Sequence, residues 1–184
     1  MAGLPENKKF SEMTNAAYSL GNSLPKKAAV QPKYENLSNI QKNSGPVYDK
    51  FKDLGTMTVP YGGSTRYENV HPGVDIANKI GTDINSFSGG TVTDMRTGMG
   101  RTTKPSFGNY VIVTDPQGAK HRYSHLNQSW VKVGQEVQAG DRLGAMGNSG
   151  SVYSNSGGDG SHLDYRIRDA FNKYIDPSKY LTTL

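Results

Sequence analysis

The run Asn109-Tyr110-Val111-Ile112-Val113-Thr114-Asp115-Pro116-Gln117-Gly118-Ala119-Lys120-His121-Arg122-Tyr123-Ser124-His125-Leu126 decides the fold. Residues 110–113 are apolar throughout and mostly β-branched, which suits a central strand. Residues 120–126 alternate more and suit a half-exposed strand. Between them Asp115-Pro116-Gln117-Gly118 places Pro at i+1 and Gly at i+3 of a tight turn. The stretch therefore reads as two consecutive, paired antiparallel strands.

The same texture extends outward over the rest of the chain after Gly55. Short β-branched and aromatic runs alternate with Gly, Pro, Asn and Asp. Further strands are expected at 73–77, 83–87, 90–96, 136–137, 143–147 and 162–168, with 109–115 and 120–126 completing the set. A mainly β domain over 56–184 follows, an antiparallel sheet with little helix. The Gly, Ser and Asn-rich stretch 147–161 reads as a mobile loop beside His162.

Residues 1–55 differ in composition. Before Gly55 the chain carries eight Lys, five acidic residues and no Arg. Ser11 with Met13, Ala16, Ala17 and Leu20 predicts a short helix at 11–20, and Pro46 with Val47, Phe51 and Leu54 predicts a second. Residues 21–45 read as linker, so 1–55 is expected to be a partly helical tether.

Composition narrows the function classes. With 184 residues the chain is long enough for one domain and an appendage. No apolar run approaches the roughly 18 residues of a membrane span, and residues 1–40 show no secretory signal. The absence of cysteine excludes disulfides, thiolate zinc sites and a cysteine nucleophile, so a metal would need His, Asp, Glu or carbonyl ligands. A net charge of +5 favours polyanionic neighbours. No Lys/Arg cluster interleaved with aromatics points to nucleic acid, which is not expected as a partner.

All four histidines, His71, His121, His125 and His162, lie in the β-rich part. In His71-Pro72-Gly73-Val74-Asp75 the Pro and Gly disfavour helix and bend the chain into a strand carrying Asp75. In His162-Leu163-Asp164 the period of two sets His162 and Asp164 on one strand face, about 6.6 Å apart. Each segment alone fits a surface turn or a polar, solvent-facing strand edge better than a site. Alternation also puts His121 and His125 on one face but about 13 Å apart, so at most one belongs to any single site.

Taken together, His71-Pro-Gly-Val-Asp75, Tyr123-Ser-His125-Leu126 and His162-Leu-Asp164-Tyr-Arg-Ile resemble the motifs of the M23 (lysostaphin/LytM-like) zinc metallopeptidases. These are H-x-x-x-D, Y-x-H-L and H-x-H, in that order. The connecting Gly108-Asn109, Gly147-Asn148-Ser149-Gly150 and Ile175-Asp176-Pro177 resemble that family too. The resemblance spans about 70–181 and implies an antiparallel β-sheet groove holding one Zn²⁺, which activates water to hydrolyse peptide bonds in bacterial peptidoglycan. By position it implies His71 and Asp75 as metal ligands and His125 and His162 as the catalytic histidines. His121 has no counterpart and is expected at the surface.

The chain departs from the pattern where Asp164 stands in place of the second His of H-x-H. Carboxylate oxygen binds zinc at about 2.0–2.2 Å, so Asp164 is expected to complete the set as third ligand. Two His and one Asp leave Zn²⁺ at +1, whereas His71, Asp75 and Asp164 leave it neutral. A weaker Lewis acid with more alkaline activity is expected, and an oxygen-richer set tolerates a harder ion such as Mn²⁺.

The expected function is thus a zinc-dependent peptidoglycan endopeptidase acting at the bacterial cell wall. Without an export signal, a phage setting is expected, with residues 1–55 attaching to a virion or tail assembly. The rival expectation is an inactive module of the same fold that binds peptidoglycan or serves as a structural virion component.

Overall fold

The computed structural model describes residues 54–181. The helices expected at 11–20 and after Pro46, and the linker between them, lie outside these residues. Ten strands follow in order: β1 (Thr56–Val59), β2 (Val74–Ala77), β3 (Asp83–Asn85), β4 (Gly90–Arg96), β5 (Asn109–Thr114), β6 (Lys120–Ser129), β7 (Glu136–Val137), β8 (Arg142–Met146), β9 (His162–Arg168) and β10 (Tyr174–Ile175). A 3₁₀ turn at Pro177–Tyr180 closes the described chain. Each expected strand is present to within a few residues; β1, β10 and the 3₁₀ turn were not anticipated. No helix among the described residues is long and apolar enough to cross a membrane.

Every strand pairing is antiparallel, and the sheet runs β1-β2-β9-β6-β5-β4-β7, with β10 on β9 and β8 bridging β6 and β3. The β5–β6 hairpin closes as the sequence predicts: Asp115 Oδ1 accepts from the Gln117 and Ala119 amides. One sheet face carries Val74, Ile76, Leu163, Tyr165, Ile167, Tyr123, Val111 and Val113, all fully buried. With Ile84, Leu126, Leu143 and Met146 they form a single apolar core. Burying such side chains stabilises the sheet by about 1.5–3 kcal/mol each before entropy is charged against it.

Polar groups on this core face are hydrogen-bonded, as Tyr123 and His121 show. The Tyr123 hydroxyl accepts from the Phe87 amide at 2.7 Å, and burial pushes its pKa up to about 12. His121, expected at the surface, is instead 0% exposed. It faces the core because residues 121 and 123 share that face of β6. Its Nδ1 lies 2.7 Å from the Tyr165 hydroxyl and its Nε2 3.2 Å from Asp115 Oδ2. Hydrogen bonding to partners equally buried removes the desolvation cost that would otherwise drive it outward.

The opposite face carries the polar row. Asp75 on β2 pairs in register with Asp164 on β9, and Asp164 with Ser124 on β6. Segments 75, 124 and 164 thereby meet in one line across three strands. The loop 147–161 lies alongside. It has no regular strand, but its first half is fixed by backbone bonds from Gly150 to Gly100 and from Ser151 to Ser106.

Candidate functional site

His71 enters the row from the loop before β2. Its amide donates to the Gly63 carbonyl at 2.6 Å and its own carbonyl accepts from the Gly62 amide at 2.8 Å. Gly73 lets this loop lie directly on β9: a Cβ there would meet Arg166 Cγ at 2.6 Å and the Tyr165 carbonyl oxygen at 2.7 Å. Only glycine permits that approach.

His71, Asp75 and Asp164 converge, with one donor atom from each lying within 4.8 Å of the others. They are 1%, 8% and 2% exposed. His71 Nε2 stands 3.0 Å from Asp75 Oδ1 and 3.9 Å from Asp164 Oδ1. Neither Nε2 nor Asp75 Oδ1 has an aligned hydrogen-bond partner, a costly arrangement for buried polar atoms. The other ring nitrogen, Nδ1, lies 3.0 Å from Glu68 Oε2. A carboxylate only accepts, so Nδ1 carries the hydrogen and the neutral ring presents its Nε2 lone pair to the two aspartates. A lone pair facing two carboxylates is stable only around a cation, whether a proton on the ring or a metal ion. One imidazole and two carboxylates match the ligand types of a divalent zinc site.

Arg166 and Glu68, which the motif reading passed over, surround this cluster. Arg166 Nε donates to Asp164 Oδ1 at 2.8 Å and Oδ2 at 2.9 Å, while its terminal nitrogens reach Glu68 Oε1 and Oε2, both at 2.8 Å. Its guanidinium also stacks 4.7 Å from the centroid of Phe107. Burial alone would raise the Asp164 pKa, but Arg166, followed by the charges of His125 and His71, holds it below the usual carboxylate range. For His71 burial is outweighed by Asp75, Asp164 and Glu68, which raise its pKa and mark the pocket as electronegative. Arg166 was legible as the next same-face residue after Asp164; Glu68 had only its place three residues before His71. Their opposite charges cancel, so the formal count of the set is unchanged.

His125 and His162 face the same groove, with ring centroids 4.6 Å apart. Simple alternation would turn His125 into the core with His121 and Tyr123. His125 instead adopts φ 62°, and the β5–β6 register slips beside it. This kink sends His125 to the groove and the next residue, Leu126, into the core. The expectation that His121 and His125 share a face is thereby corrected. His125 Nδ1 donates to the Ser149 carbonyl at 2.7 Å and His162 Nδ1 to the Gly160 carbonyl at 2.8 Å, so in each ring Nδ1 carries a hydrogen and Nε2 is left for another partner. Burial first, then the His162 charge, depresses the His125 pKa to about 4.

Ser149 is held in turn. Its hydroxyl donates to the Leu126 carbonyl at 2.8 Å and accepts from the Asn109 amide at 2.9 Å. The Gly-Asn and Gly-Asn-Ser-Gly segments thus brace His125. Both histidines and the His71 cluster line one groove of about 1310 Å³, whose walls include Tyr67, Phe107 and Tyr153.

Comparison with known proteins gives a consistent picture. Residues 69–177 match the model of peptidase family M23. The peptidoglycan DD-endopeptidase ShyA of Vibrio cholerae is 36% identical over 97 residues, 53% of this chain and 20% of that protein. The chain thus spans about a fifth of that relative's length. Lysostaphin from Staphylococcus simulans superposes with a TM-score of 0.56 at 26% identity, over 71% of this chain and 50% of that one. The catalytic domain of the prophage-encoded M23 protein EnpA from Enterococcus faecalis, in a mutant form, gives 0.54 at 25%, over 67% and 88%.

Proposed function

The chain belongs to peptidase family M23, and from that premise we propose that it is a zinc-dependent endopeptidase cleaving peptide bonds in bacterial peptidoglycan. The observation that carries the reading is the buried His71–Asp75–Asp164 cluster, with His71 Nε2 and Asp75 Oδ1 facing each other at 3.0 Å without an aligned hydrogen bond, in one groove with His125 and His162. The activity of ShyA supports the substrate class.

In this reading His71 Nε2, Asp75 Oδ1 and Asp164 Oδ1 hold one Zn²⁺. When bound, zinc supplies Lewis acidity, polarising a carbonyl and making water more acidic. The histidine pair handles protons. One Nε2 accepts the proton of the attacking water and, once protonated, passes that same proton to the leaving amine; the other ring hydrogen-bonds the developing oxyanion in its protonated form, through its Nε2 hydrogen. The Ser149 and Gly160 carbonyls fix both rings so that no reorientation is needed. Groove walls exclude water from the reacting centre and align the peptide.

Incubating purified peptidoglycan with the full chain, with and without a chelator, tests this: soluble peptides appear only when metal is present. A second reading rests on the engagement of both Asp164 oxygens by Arg166. If that pairing blocks metal, the domain is a peptidoglycan-binding module, and the same incubation yields binding without release. We place the site of action at the bacterial cell wall, with residues 1–55 as the tether to a phage assembly; the prophage origin of EnpA supports that setting. Co-purification of the chain with virions tests it.

A further inference from the structure

We propose that Glu68 is a positioning residue that holds His71 and Asp164 together in ligating geometry, an inference that rests on the metal-site reading above. Glu68 reaches both candidate ligands. Its Oε2 accepts from His71 Nδ1, fixing the tautomer that leaves Nε2 free, and its two oxygens grip Arg166, which pins both oxygens of Asp164. Two donors from separate elements, a loop and β9, are thereby tied through one carboxylate–guanidinium bridge. Glu68 is itself placed by a local turn. Its amide donates to Thr65 Oγ1 at 3.0 Å, and the Thr65 amide donates to the Glu68 carbonyl at 2.9 Å.

The bridge answers a difficulty created by an aspartate at 164. A carboxylate offers two oxygens and several lone-pair directions, and the short side chain leaves its rotation to be set by neighbours. Arg166 sets it, but places a cation beside a site meant for one. Glu68 offsets that charge. Its removal acts three ways in one direction: it frees the His71 tautomer, loosens Asp164 and leaves the Arg166 charge uncompensated. Outer partners of this kind are worth 10–100-fold in metal affinity.

The test is Zn²⁺ titration of the full chain and its Glu68→Ala and Glu68→Gln variants, with imidazole ¹⁵N shifts of the metal-free proteins. The wild type is expected to bind one Zn²⁺ and E68A 10–100-fold more weakly. E68Q, whose amide oxygen still accepts from Nδ1, is expected between them and carries the test should E68A not fold. The His71 ¹⁵N signature is expected to leave the Nδ1–H pattern in E68A, a change that a mere loop strut would not produce. Equal zinc affinity with an unchanged His71 signature overturns the proposal and leaves the metal site standing. No zinc uptake by the wild type overturns the metal-site reading, and this proposal falls with it.

Discussion

His125 and His162 lie ring to ring at 4.6 Å, one on a kinked strand and the other at the first residue of β9. Each imidazole is anchored by a main-chain carbonyl, so neither depends on the metal ligands for its orientation.

That independence predicts separable phenotypes. His125→Ala and His162→Ala are each expected to lower peptide release from purified peptidoglycan by at least about 10²-fold. Zinc content by elemental analysis and the circular dichroism spectrum should stay as in the wild type. Full activity in both variants would remove the histidine pair from the mechanism.

The reverse holds for Asp164. Asp164→Ala is expected to abolish stoichiometric zinc binding, since a set reduced to His71 and Asp75 no longer encloses an ion. Elemental analysis after dialysis reads the result. One zinc per chain in this variant would show that Asp164 is no ligand.

The depressed basicity of His125 sets a pH dependence. Its pKa in the folded chain is about 4, against an ordinary value near 6.5. The unfolded chain therefore binds more protons between these values, and stability is full above about pH 6.5 and lost as pH falls toward 4. The loss attributable to this residue is on the order of 3 kcal/mol. Urea titrations at pH 7 and pH 4 should show a smaller difference for His125→Gln than for the wild type.

Gly73 gives a packing prediction. Gly73→Ala forces its new methyl against Arg166 Cγ and a backbone oxygen, at 2.6 and 2.7 Å, which should cost about 1–3 kcal/mol by overpacking. The urea midpoint is expected to fall at unchanged slope, and zinc affinity to weaken as β9 is pushed from the His71 loop. An unchanged midpoint would mean the loop yields freely.

The fold was largely legible because the strands carry their own signals. Tyr110 to Val113, the turn at 115–118 and the alternation of 162–168 are local patterns, and local patterns survive into the structure. Strand β1 was missed because Thr56–Val59 is a largely exposed edge, and β10 because Tyr174–Ile175 spans two residues. The convergence of the candidate site was legible where sequence separation is short or a motif exists, as at His71, Asp75, His162 and Asp164. The shared face expected for His121 and His125 was wrong because alternation assumes an unbroken strand, and the left-handed residue at 125 is invisible in residue type. Glu68 was missed because its meaning comes from Arg166, almost a hundred positions away. His121 was misjudged because its partner Tyr165, 44 positions away, becomes a neighbour only through sheet register.

The row of Asp75, Ser124 and Asp164 across three strands also governs when the pocket comes into being during synthesis. No hairpin of consecutive strands contains all three, and β9 is the last of them to leave the ribosome. A nascent chain lacking that strand holds only His71 and Asp75 of the three donors, so the full set closes in one step, when β9 pairs with β2 and β6.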